Sequence, residues 1–427
     1  MEQIFKSKTT LFEGSSYLTS DQLFQQVSLI AQGFKESGIN SQSVCLLNMD
    51  TTLHTLKALL ALLSLGAITA LLNPKLPDHI TKQLLEDLGP YTLIDQLPWS
   101  NKQHPYTPHD HNKICFLMAT SGSTGHPKWV SSTINHWIKS ALGTLELFNA
   151  SCNQPWVLSL PLFHVSGLSI VIRAFLSHAP LIITQDLLWF PCARISMIPL
   201  QLQRLIKQNR HHSLLKASSI LVGGAPIDEA TYQRLKNYPL YITYGMTESC
   251  SQISCSKKSP STLTVGQALK YRTMTLDTNS QILIQGESVC DFFWNKGELI
   301  PLKTADNFYP TKDHGLFNLQ GDLIILGRQD ERISINGEKI YPWQIEQELK
   351  AHFEFEQLIV TSIHEGIVVA FCTPIPSDED QTILKKTLGS LFFPKLFLPL
   401  DTEQHTGKIL LKDLKKTAQS KFAATPL

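Results

Sequence analysis

A chain of 427 residues is long enough for two or three folding units. Its 43% apolar content supports a large core, and 37 Lys and Arg against 36 Asp and Glu leave a net charge of +1, which gives no hint of a nucleic-acid surface. Eight cysteines with no C-x-x-C pair exclude the common zinc spacings and make the reducing cytoplasm the expected compartment; Cys250 and Cys255 read as pocket or core thiols.

In chain order, Glu2, Lys6 and Lys8 interrupt the Met1–Phe12 stretch, so no secretory signal is expected. Apolar spacing predicts a helix around Leu18–Phe34 ending at Gly38, a strand at Val44–Leu47, a helix over Leu53–Leu65 and a strand over Ile68–Leu72. The apolar run Ala58–Leu72 is too short to span a bilayer comfortably and is broken by Ser64, Gly66 and Thr69, which predicts a soluble protein with no membrane span. A helix over Asp78–Leu88 and a strand over Tyr91–Ile94 follow, then a polar, histidine-rich loop from Ser100 to Asn112. Strands alternating with helices imply parallel sheets and an α/β fold. After Gly286 the pattern turns to short strands, and a second unit opens near Gln329 with Ile333–Ile335, an Asn336-Gly337 turn and a helix from Pro342 to His352.

The apolar strand Ile114–Met118 feeds Thr120, Ser121, Gly122, Ser123, Thr124 and Gly125, then Pro127 and Lys128. Glycines let backbone N–H groups approach a phosphate chain, hydroxyls add donors, and the lysine adds charge. A Walker loop would place Gly-Lys-Ser/Thr together; here three residues carry the chain from Gly125 to Lys128, so this is another kind of phosphate loop. Gly223-Gly224-Ala225-Pro226 follows the apolar Ile220–Val222 strand, and Tyr244-Gly245-Met-Thr247-Glu248-Ser249 gathers a ring, a hydroxyl and a carboxylate in one short segment. Thr311-Lys-Asp313-His-Gly315, Gly327-Arg328-Gln-Asp330 and Thr406-Gly-Lys408 complete the set. Taken singly, most of these read blandly: a surface turn, a solvated Glu248, a solubilising Lys408 in a lysine-rich tail.

Together and in this order they resemble the signature segments of the adenylate-forming enzymes, the acyl-CoA synthetases and their relatives. The resemblance runs from about residue 15 to about residue 416. It implies a large N-terminal α/β domain of parallel and mixed sheets with flanking helices (1–327), a hinge at 328–330 that includes Asp330, and a small mobile α+β C-terminal domain (331–427). It also implies a tyrosine on adenine (Tyr244), a threonine at the α-phosphate (Thr247), Mg²⁺ held by Glu248, ribose hydroxyls held by Asp313 and Arg328, and Lys408 entering the site during adenylation. ATP, Mg²⁺ and coenzyme A are the expected cofactor and co-substrates, with Gly337 and Glu338 on the face presented to coenzyme A.

Leu158-Ser-Leu-Pro-Leu-Phe-His164-Val-Ser166-Gly167, with Arg173 six residues later, resembles the o-succinylbenzoate–CoA ligase branch of menaquinone biosynthesis. That resemblance implies an acyl pocket bordered by His164, Ser166, Gly167 and Arg173 and a dicarboxylic small-molecule substrate. Arg173, in a run of hydrophobes, is a sensible partner for the second carboxylate; the bland alternative is a guanidinium that snorkels to solvent, and for His164 a satisfied core histidine. Another aryl or fatty acid, a carrier-protein acceptor, a non-catalytic nucleotide-binding protein and a homo-oligomer stay open. Trp129 after the loop lysine, Asn336 where a second glycine is usual, and a shortened C-terminal domain depart from the family pattern.

Overall fold

The computed structural model describes residues 2–48, 50–106, 110–120, 127–184, 191–260, 263–335, 338–355, 357–363, 367–389, 393–400 and 414–421. The chain forms two compact units, one of residues 1–277, 282–311 and 317–324, the other of 278–281, 312–316 and 325–427.

The first unit carries two large mixed sheets. In the seven-stranded sheet, Thr92–Ile94, Val44–Leu47, Ile68–Leu71 and Ile114–Thr120 run parallel, and Lys128–Thr133, Phe292–Asn295 and Glu298–Pro301 extend it antiparallel. The helix Leu53–Leu65 is buried almost all round and stops where Gly66 adopts φ +72, a left-handed turn a glycine takes without strain. The apolar run that could have suggested a membrane segment is thus a core helix, a glycine turn and a strand. Among the described residues no helix is long and apolar enough to cross a membrane.

Trp129 has a structural reason. It is fully buried on Lys128–Thr133 and donates its indole N–H to Leu84 O (2.8 Å), while Trp294 on the adjoining strand donates to Leu88 O (3.0 Å). Two indoles thereby hold the last turn of the helix Asp78–Leu88 against the sheet, and Leu88 belongs to the carbonyls that a helix end leaves without an internal partner.

In the nine-stranded sheet, Leu240–Met246, Ser219–Val222, Arg194–Met197, Trp156–Leu158, Leu181–Ile183 and Leu11–Glu13 are parallel. Ser251–Cys255 folds back antiparallel on Leu240–Met246 with a register shift at Tyr244/Gly245. The helices Ile134–Leu147 and Val165–Leu176 supply the apolar core that meets these sheets.

The second unit has its own core of Ile333, Ile345, Leu349, Val360, Val368 and Leu384. Gln357–Ile363 pairs antiparallel with Ile367–Thr373, which pairs in parallel with Leu396–Pro399. The helix Pro342–His352 begins with a proline at its first position, where a missing N–H costs nothing.

Candidate active site

The strands Ile114–Thr120 and Lys128–Thr133 pair antiparallel, with Thr120 opposite Lys128. The element that follows Gly125 among the described residues is thus a strand, where a Walker motif leads into a helix. Ser121, Gly122, Ser123, Thr124 and Gly125 lie outside the described residues, as do Gly337 and Lys408. The Lys128 ammonium sits 5.0 Å from the centroid of the Phe293 ring.

Gly223 and Gly224 leave the strand Ser219–Val222, and both are required by geometry. A Cβ on Gly223 would lie 2.5 Å from Thr243 Oγ1, and Gly224 has φ +84. Ala225 and Pro226 follow in the chain, after a strand whose Val222 pairs with Ile242 of Leu240–Met246, the strand that carries Tyr244 and Gly245. A Cβ on Gly245 would stand 1.9 Å from Ser251 O, so only a glycine lets Ser251–Cys255 fold back so tightly.

The resulting corner, Thr247–Ser249, is a single 3-10 turn. Its outgoing residues Cys250 and Ser251 have φ +51 and +107, values that non-glycine residues rarely take. The Ser249 hydroxyl lies between Met246 O (3.0 Å) and Ser251 O (2.9 Å), and Cys290 N–H donates to Glu248 O (2.8 Å). The Glu248 carboxylate accepts from the Tyr309 hydroxyl at 3.1 Å, so Thr247 and Glu248 ride on a braced turn. Tyr309 had no local motif to announce it; its role comes from a contact across 61 residues.

Leu158-Ser-Leu-Pro-Leu-Phe leads from the strand Trp156–Leu158 to His164, which takes the N-cap position of Val165–Leu176 without a capping bond from its side chain. Leu162 N–H donates to Thr51 Oγ1 (2.8 Å), and a Cβ on Gly167 would be 2.1 Å from Pro161 O, so Gly167 lets the helix start directly over that carbonyl. Ser166 accepts from the Ser169 hydroxyl at its carbonyl (2.7 Å). The His164 ring meets Phe163 edge-on, and burial lowers its pKa, favouring a neutral imidazole.

Arg173 does not snorkel: it is 2% exposed. Its Nη2 donates to Ser251 Oγ (3.3 Å) and its guanidinium lies 5.7 Å from the Trp156 ring centroid. Among the described residues no carboxylate pairs with it, and its Nε has no hydrogen-bond partner. Burial, then repulsion from Arg272, lowers its pKa to about 9. Arg272 is equally enclosed, donating to the carbonyls of Gln252, Ser140 (3.0 Å) and Lys270 (3.2 Å). Two buried guanidinium groups near one another make an anion-seeking interior.

In the second unit the structure gathers three predicted residues. Arg328 Nη1 meets Asp313 Oδ1 at 3.2 Å, while its Nε and Nη2 meet Asp330 Oδ1 and Oδ2 at 2.9 and 3.2 Å. Asp313 is 8% exposed. Glu338 is an exposed strand residue opposite Ile335. Among the described residues there is no group of three or more His, Cys, Asp or Glu side chains that could hold a metal ion.

A family model for AMP-binding enzymes matches residues 3–105 and 94–299. The chain is 31% identical over 363 residues to the 2-succinylbenzoate–CoA ligase of Escherichia coli strain K12, spanning 80% of this chain and 78% of that one. It is 30% identical over 359 residues to the enzyme of the same name from Haemophilus influenzae, spanning 80% and 77%. Among solved structures, wild-type E. coli MenE with a bound phenylether-linked analogue of OSB-AMS superposes with a TM-score of 0.81 at 26% identity, over 97% of this chain and 96% of that chain. The site geometry and these likenesses agree: the chain belongs to the AMP-binding enzyme family, in the branch of the 2-succinylbenzoate–CoA ligases.

Proposed function

We infer that the protein is an AMP-forming acid–thiol ligase that converts 2-succinylbenzoate, ATP and coenzyme A into 2-succinylbenzoyl-CoA, AMP and pyrophosphate. The observation that carries the choice of acid is Arg173, a buried guanidinium with no carboxylate partner among the described residues, in a chain whose relatives bear that substrate's name. A neutral acyl tail would have no use for a cation stabilised so poorly by its own protein.

A carboxylate is a poor electrophile. The chemistry therefore begins with attack of the succinyl carboxylate on the α-phosphorus of ATP, which expels pyrophosphate and leaves an acyl-adenylate. Two anions must meet, so the barrier is largely electrostatic. Glu248, steadied by Tyr309, is suited to the Mg²⁺ that accompanies ATP; Thr247 orients the α-phosphate, and Thr120–Gly125 with Lys128 cradle the phosphate chain. Tyr244 faces adenine along the edge formed by Gly223–Pro226, and Asp313 with Arg328 takes the ribose hydroxyls. His164, Ser166 and Gly167 border the acid. Lys408 completes the adenylation site, and the coenzyme A thiol then attacks the mixed anhydride and releases AMP. We assign residues 1–327 to catalysis, 328–330 to a hinge and 331–427 to a lid whose other face, with Gly337 and Glu338, serves the thiol step. The cytoplasm, where ATP and coenzyme A are at hand, suits eight cysteines that form no disulfide.

Coenzyme A-dependent AMP formation, measured with 2-succinylbenzoate beside benzoate, octanoate and amino acids, tests this reading. Turnover confined to 2-succinylbenzoate and lost on Lys408→Ala is the expected result. Activity only with a monocarboxylic acid would remove the argument from Arg173, and pyrophosphate release without thioester would mean another acceptor.

A further inference from the structure

Arg173 has to be aimed as well as buried. Its guanidinium lies in an apolar stretch of helix, with Trp156 at its face and, among the described residues, one side-chain hydrogen bond, to Ser251 Oγ at 3.3 Å. Ser251 itself is 8% exposed and held at φ +107, where a side chain is strained unless its surroundings fix it. Three features fix it. Its carbonyl accepts from the Ser249 hydroxyl at 2.9 Å; that carbonyl also occupies the space a Cβ on Gly245 would need; and the preceding Cys250 N–H is tied to Thr247 O at 3.1 Å. One serine therefore joins the Thr247–Ser249 turn by its backbone to the acyl-end arginine by its hydroxyl.

We propose that Ser251 is a positioning residue for substrate selection: its hydroxyl orients the Arg173 guanidinium toward the acid's second carboxylate, and its backbone keeps that arginine in register with the turn that holds the α-phosphate. This assignment rests on the reading of the acid as 2-succinylbenzoate. It requires no covalent step and adds no group to the reaction. It also explains why a residue other than glycine occupies so unfavourable a φ: glycine would relax the backbone and lose the hydroxyl.

The test is pyrophosphate release in the adenylation half-reaction, with 2-succinylbenzoate and with 4-oxo-4-phenylbutanoate, the same acid without the ring carboxylate. Ser251→Ala should raise KM for 2-succinylbenzoate roughly tenfold, the scale of a hydrogen bond to a charged group, while KM for ATP and for 4-oxo-4-phenylbutanoate stays at the wild-type value. Ser251→Gly, which suits this φ, should do the same, so a folding defect in the alanine variant cannot decide the matter. In an Arg173→Ala background, Ser251→Ala should add nothing. Equal losses on both acids, or additive losses in the double variant, would overturn the role of Ser251 alone. A wild-type enzyme indifferent to the ring carboxylate would overturn the substrate reading, and the positioning role with it.

Discussion

The hydroxyl of Tyr309 donates to Glu248 at 3.1 Å and limits where that carboxylate can point. Removing the carboxylate charge with Glu248→Gln should cut adenylation roughly 100-fold, the order expected when a metal's charge stabilisation is weakened. Tyr309→Phe keeps the charge and loses only its orientation, so a drop of about fivefold is expected, with more Mg²⁺ needed for half-maximal rate. Rates measured across a Mg²⁺ titration separate the two. A second residue-level prediction concerns Asp291. Its carboxylate accepts from His136 Nε2 at 3.3 Å and pairs with Lys303 Nζ at 2.7 Å, and these contacts, His136 foremost, hold its pKa at about 2. A folded-state pKa below the unfolded value adds stability above the unfolded pKa and forfeits it as the pH falls toward the folded one. Wild type should thus exceed Asp291→Asn in urea midpoint at pH 7, by a modest margin because Asp291 is 44% exposed, and the gap should close between about pH 4 and pH 2.

At the scale of elements, the fold-back of Ser251–Cys255 against Leu240–Met246 depends on one missing side chain. Gly245→Ala would drive a Cβ into Ser251 O, so the strands must separate, at a cost of about 1–3 kcal/mol. Thermal unfolding should register that loss, and adenylation should fall further than stability does because the Thr247–Ser249 turn moves with the strands. Elements were legible in the sequence where periodicity and punctuation agree. Val44–Leu47, Leu53–Leu65, Asp78–Leu88 and Pro342–His352 end where apolar spacing, Gly66, Gly89 or Pro342 say they should. The glycines of the turns were legible for the same local reason. Tyr309, Trp156 and Ser251 were not: each acts through a contact distant in sequence, and nothing in a Cys-Ser pair announces two consecutive positive φ values. Arg173 was half legible, since its residue type suggested an anion and only its burial excluded a snorkelling side chain.

At the scale of the whole molecule, the alternation of strands and helices gave the α/β class, while the antiparallel additions at the sheet margins depended on pairings no local window contains. Lys128–Thr133 lies inside the seven-stranded sheet because Phe292–Asn295 pairs with it, and Ser131 Oγ donates to Phe292 O at 2.8 Å across 161 positions. That separation bears on how the protein is made. At roughly 5–20 residues per second, a ribosome exposes Lys128–Thr133 some ten to thirty seconds before its partner strand emerges. Until then the flank carrying Trp129 is an open sheet edge, a template for pairing with a neighbouring chain. Nascent chains stopped short of Phe292 should collect in the insoluble fraction, and those extended past Pro301 should not. The order of residues that suits the finished site thus exacts a waiting time during synthesis, and chaperone demand should peak inside that window.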